Sequence, residues 1–284
     1  MTPGYEFALV TMLCLGLADL AYKRGAAAGV QAHQFLMVQA WCFAPAVALF
    51  GFVTGTLEPG GAMLWGMAAG LFVFVALYNF ARSLKLGSVS IVAPIFRLSF
   101  TVTAVLAVLI LGEPMTAFRL AGLALALAAV WLLLGADAAA VPETGAARRS
   151  LVQAVIAMAA MGVANFLYKV GAQTGGSPAS FIAGQASTFL PLATAFAWRI
   201  DRGLRATGAA WVHAGTAAAL FLVALVMLFE SLARGEASVL VPISQMGFVV
   251  TAALGLAFLR EPFTMRKSAG IAFAVAALVC LAKS

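Results

Sequence analysis

The sequence predicts an all-α integral membrane protein whose ten transmembrane helices form two inverted five-helix repeats. Composition, an internal duplication and an exchange of basic residues between the two copies carry this reading. The chain is 64% apolar and 10% charged, where soluble domains run at roughly 45–50% and about 25%. Its apolar runs extend continuously over about 20 residues, which is enough for a helix to cross a hydrocarbon core. They lack the period-two alternation of barrel strands, so helices are the elements that can satisfy every backbone group in lipid.

Residues 81–134 align without a gap on residues 229–282 at an offset of 148. Ser83 meets Ser231, Gly87 meets Gly235, Ser90 meets Ser238, Pro94 meets Pro242, Thr103 meets Thr251, Glu113 meets Glu261 and Gly122 meets Gly270. Upstream, at an offset of 146, Gly16 meets Gly162, Tyr22-Lys23 meets Tyr168-Lys169, Gln39 meets Gln185 and Pro45 meets Pro191. Duplicated membrane halves commonly enclose a site between them.

The spans are expected near 4–22, 33–53, 62–83, 88–111 and 117–135, then 150–168, 179–198, 209–230, 236–259 and 264–282. This gives a first repeat over 1–135, a linker over 136–149 and a second repeat over 150–284. Span 1 reads as a permanent helix, because the opening Met-Thr-Pro-Gly-Tyr-Glu carries no basic side chain and the run recurs at 151–168. Five crossings per repeat make the second copy enter from the opposite face. The charges agree: twelve Lys and Arg sit at the ends joining spans 1-2, 3-4, 5-6, 7-8 and 9-10, and four sit on the other face. Arg82 becomes Glu230 and Gly112 becomes Arg260, while the 54–61 loop becomes the loop with Arg199, Arg202 and Arg205. Under the positive-inside rule this puts both termini outside the cytoplasm.

The net charge of +7 is scattered singly or in pairs at span ends, which does not suit a nucleic-acid face. Cys14, Cys42 and Cys280 lie within apolar spans without metal-like spacing. No metal, cofactor or ATP-binding loop is implied, and no catalytic constellation points to an enzyme.

Leu84-x-x-Gly87-x-x-Ser90-x-x-x-Pro94 leads through an apolar helix to Gly112-Glu113-Pro114 and Gly122, and the pattern returns at Leu232-x-x-Gly235-x-x-Ser238-x-x-x-Pro242, Glu261-Pro262 and Gly270. In these residues the chain resembles the drug/metabolite transporter superfamily of the EamA type, whose five-helix repeat occurs twice. The resemblance implies a small-molecule carrier working by alternating access. Two features depart from the common pattern of that family. The basic loop lies between spans 7 and 8 instead of 2 and 3, and Arg260 replaces the glycine expected before Glu261.

Arg97 is the foremost candidate site residue. It lies nine residues beyond Ser88, roughly 13 Å along a helix, where a charge faces either a cavity or a partner. Its repeat mate is Gln245, and Ser90, Pro94 and Arg97 share one helix face, as do Ser238, Pro242 and Gln245. Proline removes a helical hydrogen bond, so spans 4 and 9 are expected to bend at Pro94 and Pro242 and to present Arg97 and Gln245 inward. Arg97 suits a carboxylate or phosphate; it also suits a buried ion pair with Asp19, and the two roles are compatible. Asp19, deeper than Lys23 on the same face, is a candidate for proton coupling or for that pair. Gln39 and Gln185 are candidates for substrate hydrogen bonding or for joining helices. Tyr78 and Asn79, whose mates are Val226 and Met227, are candidates for an asymmetric part of the site. Glu113-Pro114 and Glu261-Pro262 read as helix starts.

The function these residues favour is gradient-driven export, in the cell (inner) membrane, of a small polar metabolite such as an amino acid or related carboxylate. Proton or solute counter-flow would supply the energy, in a monomer or homodimer. An exporter of amphipathic organic cations, with Asp19 or Glu230 as counter-ion, is the alternative within transport. A non-transporting scaffold or lipid-handling accessory subunit is the alternative of another class.

Overall fold

The computed structural model describes residues 3–86, 89–134, 145–258 and 265–283. Arg260, Glu261, Pro262 and linker residues 136–144 lie outside them, as do the side chains of Ser90 and Pro94. The described residues form helices α1 (Tyr5–Ala27), α2 (Ala32–Thr54), α3 (Gly61–Leu86), α4 (Val89–Arg97), α5 (Ser99–Leu111) and α6 (Ala117–Leu134) in the first repeat. The second repeat holds α7 (Gly145–Gln173), α8 (Pro178–Asp201), α9 (Gly208–Arg234), α10 (Ala237–Gln245), α11 (Gly247–Phe258) and α12 (Met265–Ala282). Among them five helices, α1, α2, α3, α7 and α9, are long and apolar enough to cross a membrane on length and composition alone. Helix α7 starts at Gly145, so the last residues assigned to the linker are helical. Ala146, Ala147, Arg148 and Arg149 are good helix formers, which accounts for the extra turn.

Spans 4 and 9 are each divided in two, at equivalent residues. The break falls at Leu98 and Met246, one turn beyond Pro94 and Pro242. There the Leu98 N–H donates to the Ile95 carbonyl at 3.0 Å and the Met246 N–H to the Ile243 carbonyl at 3.1 Å. In a continuous α-helix both would reach the proline carbonyl; the tighter bond re-aims the chain at the next turn.

The repeats interlock more than they pack on themselves. Helix α3 lies on α7 and α8, and its counterpart α9 lies on α1 and α2; α5 and α4 lie on α7, as α11 and α10 lie on α1. Helices α6 and α12 pack on each other. Side chains repeat this symmetry. Thr103 Oγ1 donates to the Gly162 carbonyl at 3.0 Å, and its mate Thr251 donates to the Gly16 carbonyl at 3.0 Å. Both contacts need glycine, since a Cβ on Gly16 or Gly162 would stand 2.5 Å from Val250 or Val102 respectively. Close helix approach of this kind lets hydroxyl-to-carbonyl bonds join spans where water is absent.

Candidate functional site

Arg97 ends α4, where its cation lies at the negative end of the helix dipole. Its Nη2 donates to Asp19 Oδ2 of α1, closing an ion pair between spans 1 and 4. Thr251 of α11 lies 3.4 Å from the same carboxylate oxygen, so α1, α4 and α11 meet there. The pair is not sealed: the Arg97 side chain is 21% exposed and that of Asp19 26%. Of the two roles open to Arg97 from sequence, the pairing with Asp19 is therefore formed, and both groups remain reachable.

Repeat symmetry puts Asn165 and Gln245 in the corresponding places. Charge is thus confined to one side of the pseudo-axis and neutral amides occupy the other. Asn165 is 5% exposed, and its Nδ2 has no hydrogen-bond partner among the described residues. A buried donor left unpaired costs about 1–3 kcal/mol, so Asn165 is a polar group positioned to gain from an added acceptor. Sequence comparison of the repeats contains this signal: Asn165 is the mate of Asp19.

Gln39 and Gln185 occupy equivalent positions and do equivalent work. Tyr22 Oη donates to Gln39 Oε1, and Tyr168 Oη to Gln185 Oε1, tying α1 to α2 and α7 to α8. The tyrosines meet corresponding rings, Tyr22 stacking on Phe35 at 4.1 Å and Tyr168 lying tilted against Phe181 at 4.3 Å. Tyr78 is drawn elsewhere, to the ring of Phe196 at 5.0 Å and to Arg82, whose Nη1 donates to its hydroxyl at 3.0 Å. Asn79 donates to the Val75 carbonyl one turn back at 2.8 Å. No described contact joins Tyr78 or Asn79 to Arg97. Glu230 pairs with Arg234 at the exposed end of α9.

A second polar cluster closes the turn between α9 and α10. Both carboxylate oxygens of Glu113, from the first repeat, accept backbone hydrogen bonds at 2.8 Å, from Ala237 and Ser238 at the start of α10. Lys169 Nζ donates to the carbonyls of Leu232 and Gly235 at the end of α9, at 2.8 and 2.6 Å. Arg119 pairs with Glu236, donates to the Pro114 carbonyl and lies 3.4 Å from Ser238 Oγ. An anion thus meets a helix N-terminus and a cation a helix C-terminus, each compensating unpaired backbone groups. Reading Glu113 as the start of its own helix missed this, because the helix it caps belongs to the other repeat. Among the described residues no group of His, Cys, Asp and Glu is placed to hold a metal.

The sequence profile of the EamA-like transporter family matches residues 2–135 and 148–283. The crystal structure of a protein superposes with a TM-score of 0.81 at 16% identity, covering 98% of this chain and 95% of its own. At that identity the likeness shows the fold alone. An uncharacterized protein of Methanocaldococcus jannaschii is 32% identical over 72 residues, or 25% of this chain. The match spans about half of that relative, 53% of its length. Two profile matches, one to each half, fit the paired broken spans and the symmetric Thr103–Gly162 and Thr251–Gly16 contacts: the chain belongs to the EamA-like transporter family and is a multi-pass membrane protein.

Proposed function

We propose that the protein carries a small polar metabolite with a carboxylate, amino acids being the favoured class, by gradient-driven alternating access across the cell (inner) membrane. The observation that supports this reading is the part-exposed Arg97–Asp19 pair beside the joint of span 4. Opening an ion pair in a low dielectric leaves two uncompensated charges. An α-amino acid brings both replacements: its carboxylate matches the planar fork of Arg97, and its ammonium matches Asp19. Asn165 and Gln245 offer neutral hydrogen bonds on the other side of the pseudo-axis, and protonation of Asp19 is the alternative way to release Arg97. Export is the direction the family suggests.

The Glu113–Arg119–Lys169 cluster begins nine residues before Gln245, about 13 Å away along α10. In this reading it is the shut end of the path. The charge distribution supports an orientation with this end, and both termini, outside the cytoplasm; a reporter fused after Ser284 and active only in the cytoplasm would reverse that orientation.

The test is a thermal-shift screen of the purified protein with amino acids, organic acids, nucleosides and organic cations. Stabilisation by zwitterions, lost in Arg97→Gln together with their uptake into proteoliposomes, is the expected result. Stabilisation by cations alone would make Asp19 their counter-ion and overturn the carboxylate reading.

A further inference from the structure

On the outer surface of the bundle, α2 and α8 leave an open groove of about 480 Å³. Its floor is shallow because Pro191, Thr194 and Ala195 are small, and its walls are Trp41 of α2 and Trp198 of α8, with Leu204 at one end. The Trp41 indole is fixed by donating to Thr194 Oγ1 at 3.1 Å. Thr194 in turn donates to the Leu190 carbonyl at 2.7 Å, so the groove's few polar atoms are already bonded. What remains is an apolar surface on spans of a membrane protein. Trp198 is 61% exposed and Leu204 60%.

The Leu204 end is cationic. Arg199, Arg202 and Arg205 are all exposed there, and Arg202 ends α8 in the left-handed conformation, at φ 50°. The adjacent carboxylate is engaged chiefly with the other repeat: Asp201 Oδ2 accepts from Gln34 at 2.8 Å and Oδ1 pairs with His33 Nε2 at 2.9 Å, and Arg205 is the one of the three arginines whose charge acts on it. An apolar trough that ends in three arginines at the end of a span has the chemistry of a lipid with a negative headgroup. The matching surface of the first repeat has Phe52 for Trp198 but Val53, Thr56 and Pro59 in place of the arginines. With Glu58 in the place of Leu204, it offers no cationic end.

We propose that the groove binds one anionic glycerophospholipid, with an acyl chain between Trp41 and Trp198 and its phosphate at Arg199, Arg202 and Arg205. Trp198, one turn from the end of α8, provides an amphipathic ring near headgroup depth while Trp41 lies deeper along the acyl chain, and the arginines supply the attraction that juxtamembrane basic residues have for anionic leaflets. Repeat asymmetry limits the site to one per chain and to one leaflet.

Native mass spectrometry of the full-length protein, titrated with phosphatidylglycerol or with phosphatidylcholine of the same chains, tests this. One phosphatidylglycerol should be retained preferentially. Arg199→Gln/Arg202→Gln/Arg205→Gln should weaken it about a hundredfold, at roughly fivefold per arginine, to the level of phosphatidylcholine. Trp198→Ala should weaken both lipids alike, since it removes acyl-chain contact, and it tests that half of the site independently of the arginines. Equal retention of the two lipids by the unaltered protein, or undiminished phosphatidylglycerol binding in the triple variant, would overturn the proposal. So would displacement of the lipid by inorganic phosphate at equal concentration, which would assign the arginines to a free anion.

Discussion

Glu113 accepts a 2.8 Å hydrogen bond from the backbone N–H of Ser238, across the boundary between the two repeats. A second bond of equal length reaches Ala237. The same carboxylate therefore belongs by sequence to the loop before α6 and by contact to the first turn of α10. Any movement that opens this end of the molecule must break both bonds.

Glu113→Gln tests that coupling. The amide keeps one acceptor and places an NH2 against the other backbone N–H, costing about 1.5–3 kcal/mol for the charge-assisted bonds. The rate at which an impermeant thiol reagent labels Gln245→Cys, in a protein whose Cys14, Cys42 and Cys280 are replaced, should rise tenfold or more. An unchanged labelling rate would remove Glu113 from the closure.

The Arg97–Asp19 pair makes a prediction from the duplication itself. Arg97→Gln or Asp19→Asn alone leaves one charge without its partner, a loss of up to about 3–5 kcal/mol when fully buried and less at this site, where both groups are part-exposed. The double variant Asp19→Asn/Arg97→Gln reproduces the Asn165 and Gln245 that the second repeat already holds. Melting temperature should fall in both single variants and recover in the double, while substrate stabilisation is absent from all three. A double variant less stable than either single one would contradict a pairwise role.

How much of this was legible in the sequence depended on whether the cause was local. Apolar runs and matched residues lie on the chain itself, so the spans, the duplication and the prolines of spans 4 and 9 could be read directly. The joint could not be assigned to Leu98 and Met246, because a proline only removes one bond; where the helix yields depends on the neighbours of the following turn. Asp19 and Arg97 were legible as a pair because opposite charges within apolar spans have few other partners. Glu113 was not, since its backbone partners are 124 and 125 residues away in sequence and any helix N-terminus could have taken the carboxylate. Tyr78 stood out through the mismatch with Val226, yet its ring meets Phe196, and aromatic packing of that kind leaves no mark in repeat comparison.

Asp201 gives a pH-dependent test of the α2–α8 contact. The hydrogen bond from Gln34, and secondarily that from His33, hold its carboxyl below the ordinary carboxylate value. A lowered pKa means that the folded state favours the ionised form. This stabilisation is complete above the unfolded value, about 3.9, and is lost as pH falls through the lower folded value. Asp201→Asn should therefore lower the melting temperature at pH 7 and converge with the unaltered protein in strong acid. A gap between the two that stays constant from pH 7 to acid would show that the ionised form is not what Gln34 and His33 recognise.

The α3–α8 interface depends on close approach of the two backbones, and Gly66 is where that dependence can be tested. A Cβ on Gly66 of α3 would stand 1.9 Å from the carbonyl oxygen of Phe181 in α8, a backbone atom that no side-chain rotation can move aside. Gly66→Ala must push α3 and α8 apart, with an overpacking cost of typically 1–3 kcal/mol. Gly208→Ala adds the same methyl group where nothing lies within 4 Å, so it serves as the matched control. Thermal unfolding should separate the two, with Gly66→Ala several degrees lower and Gly208→Ala unchanged or slightly more stable. If α3 and α8 must also slide or part during transport, Gly66→Ala will change the exchange rate of substrate in proteoliposomes by more than it changes equilibrium binding. Equal effects on rate and binding would make this contact a fixed part of the scaffold.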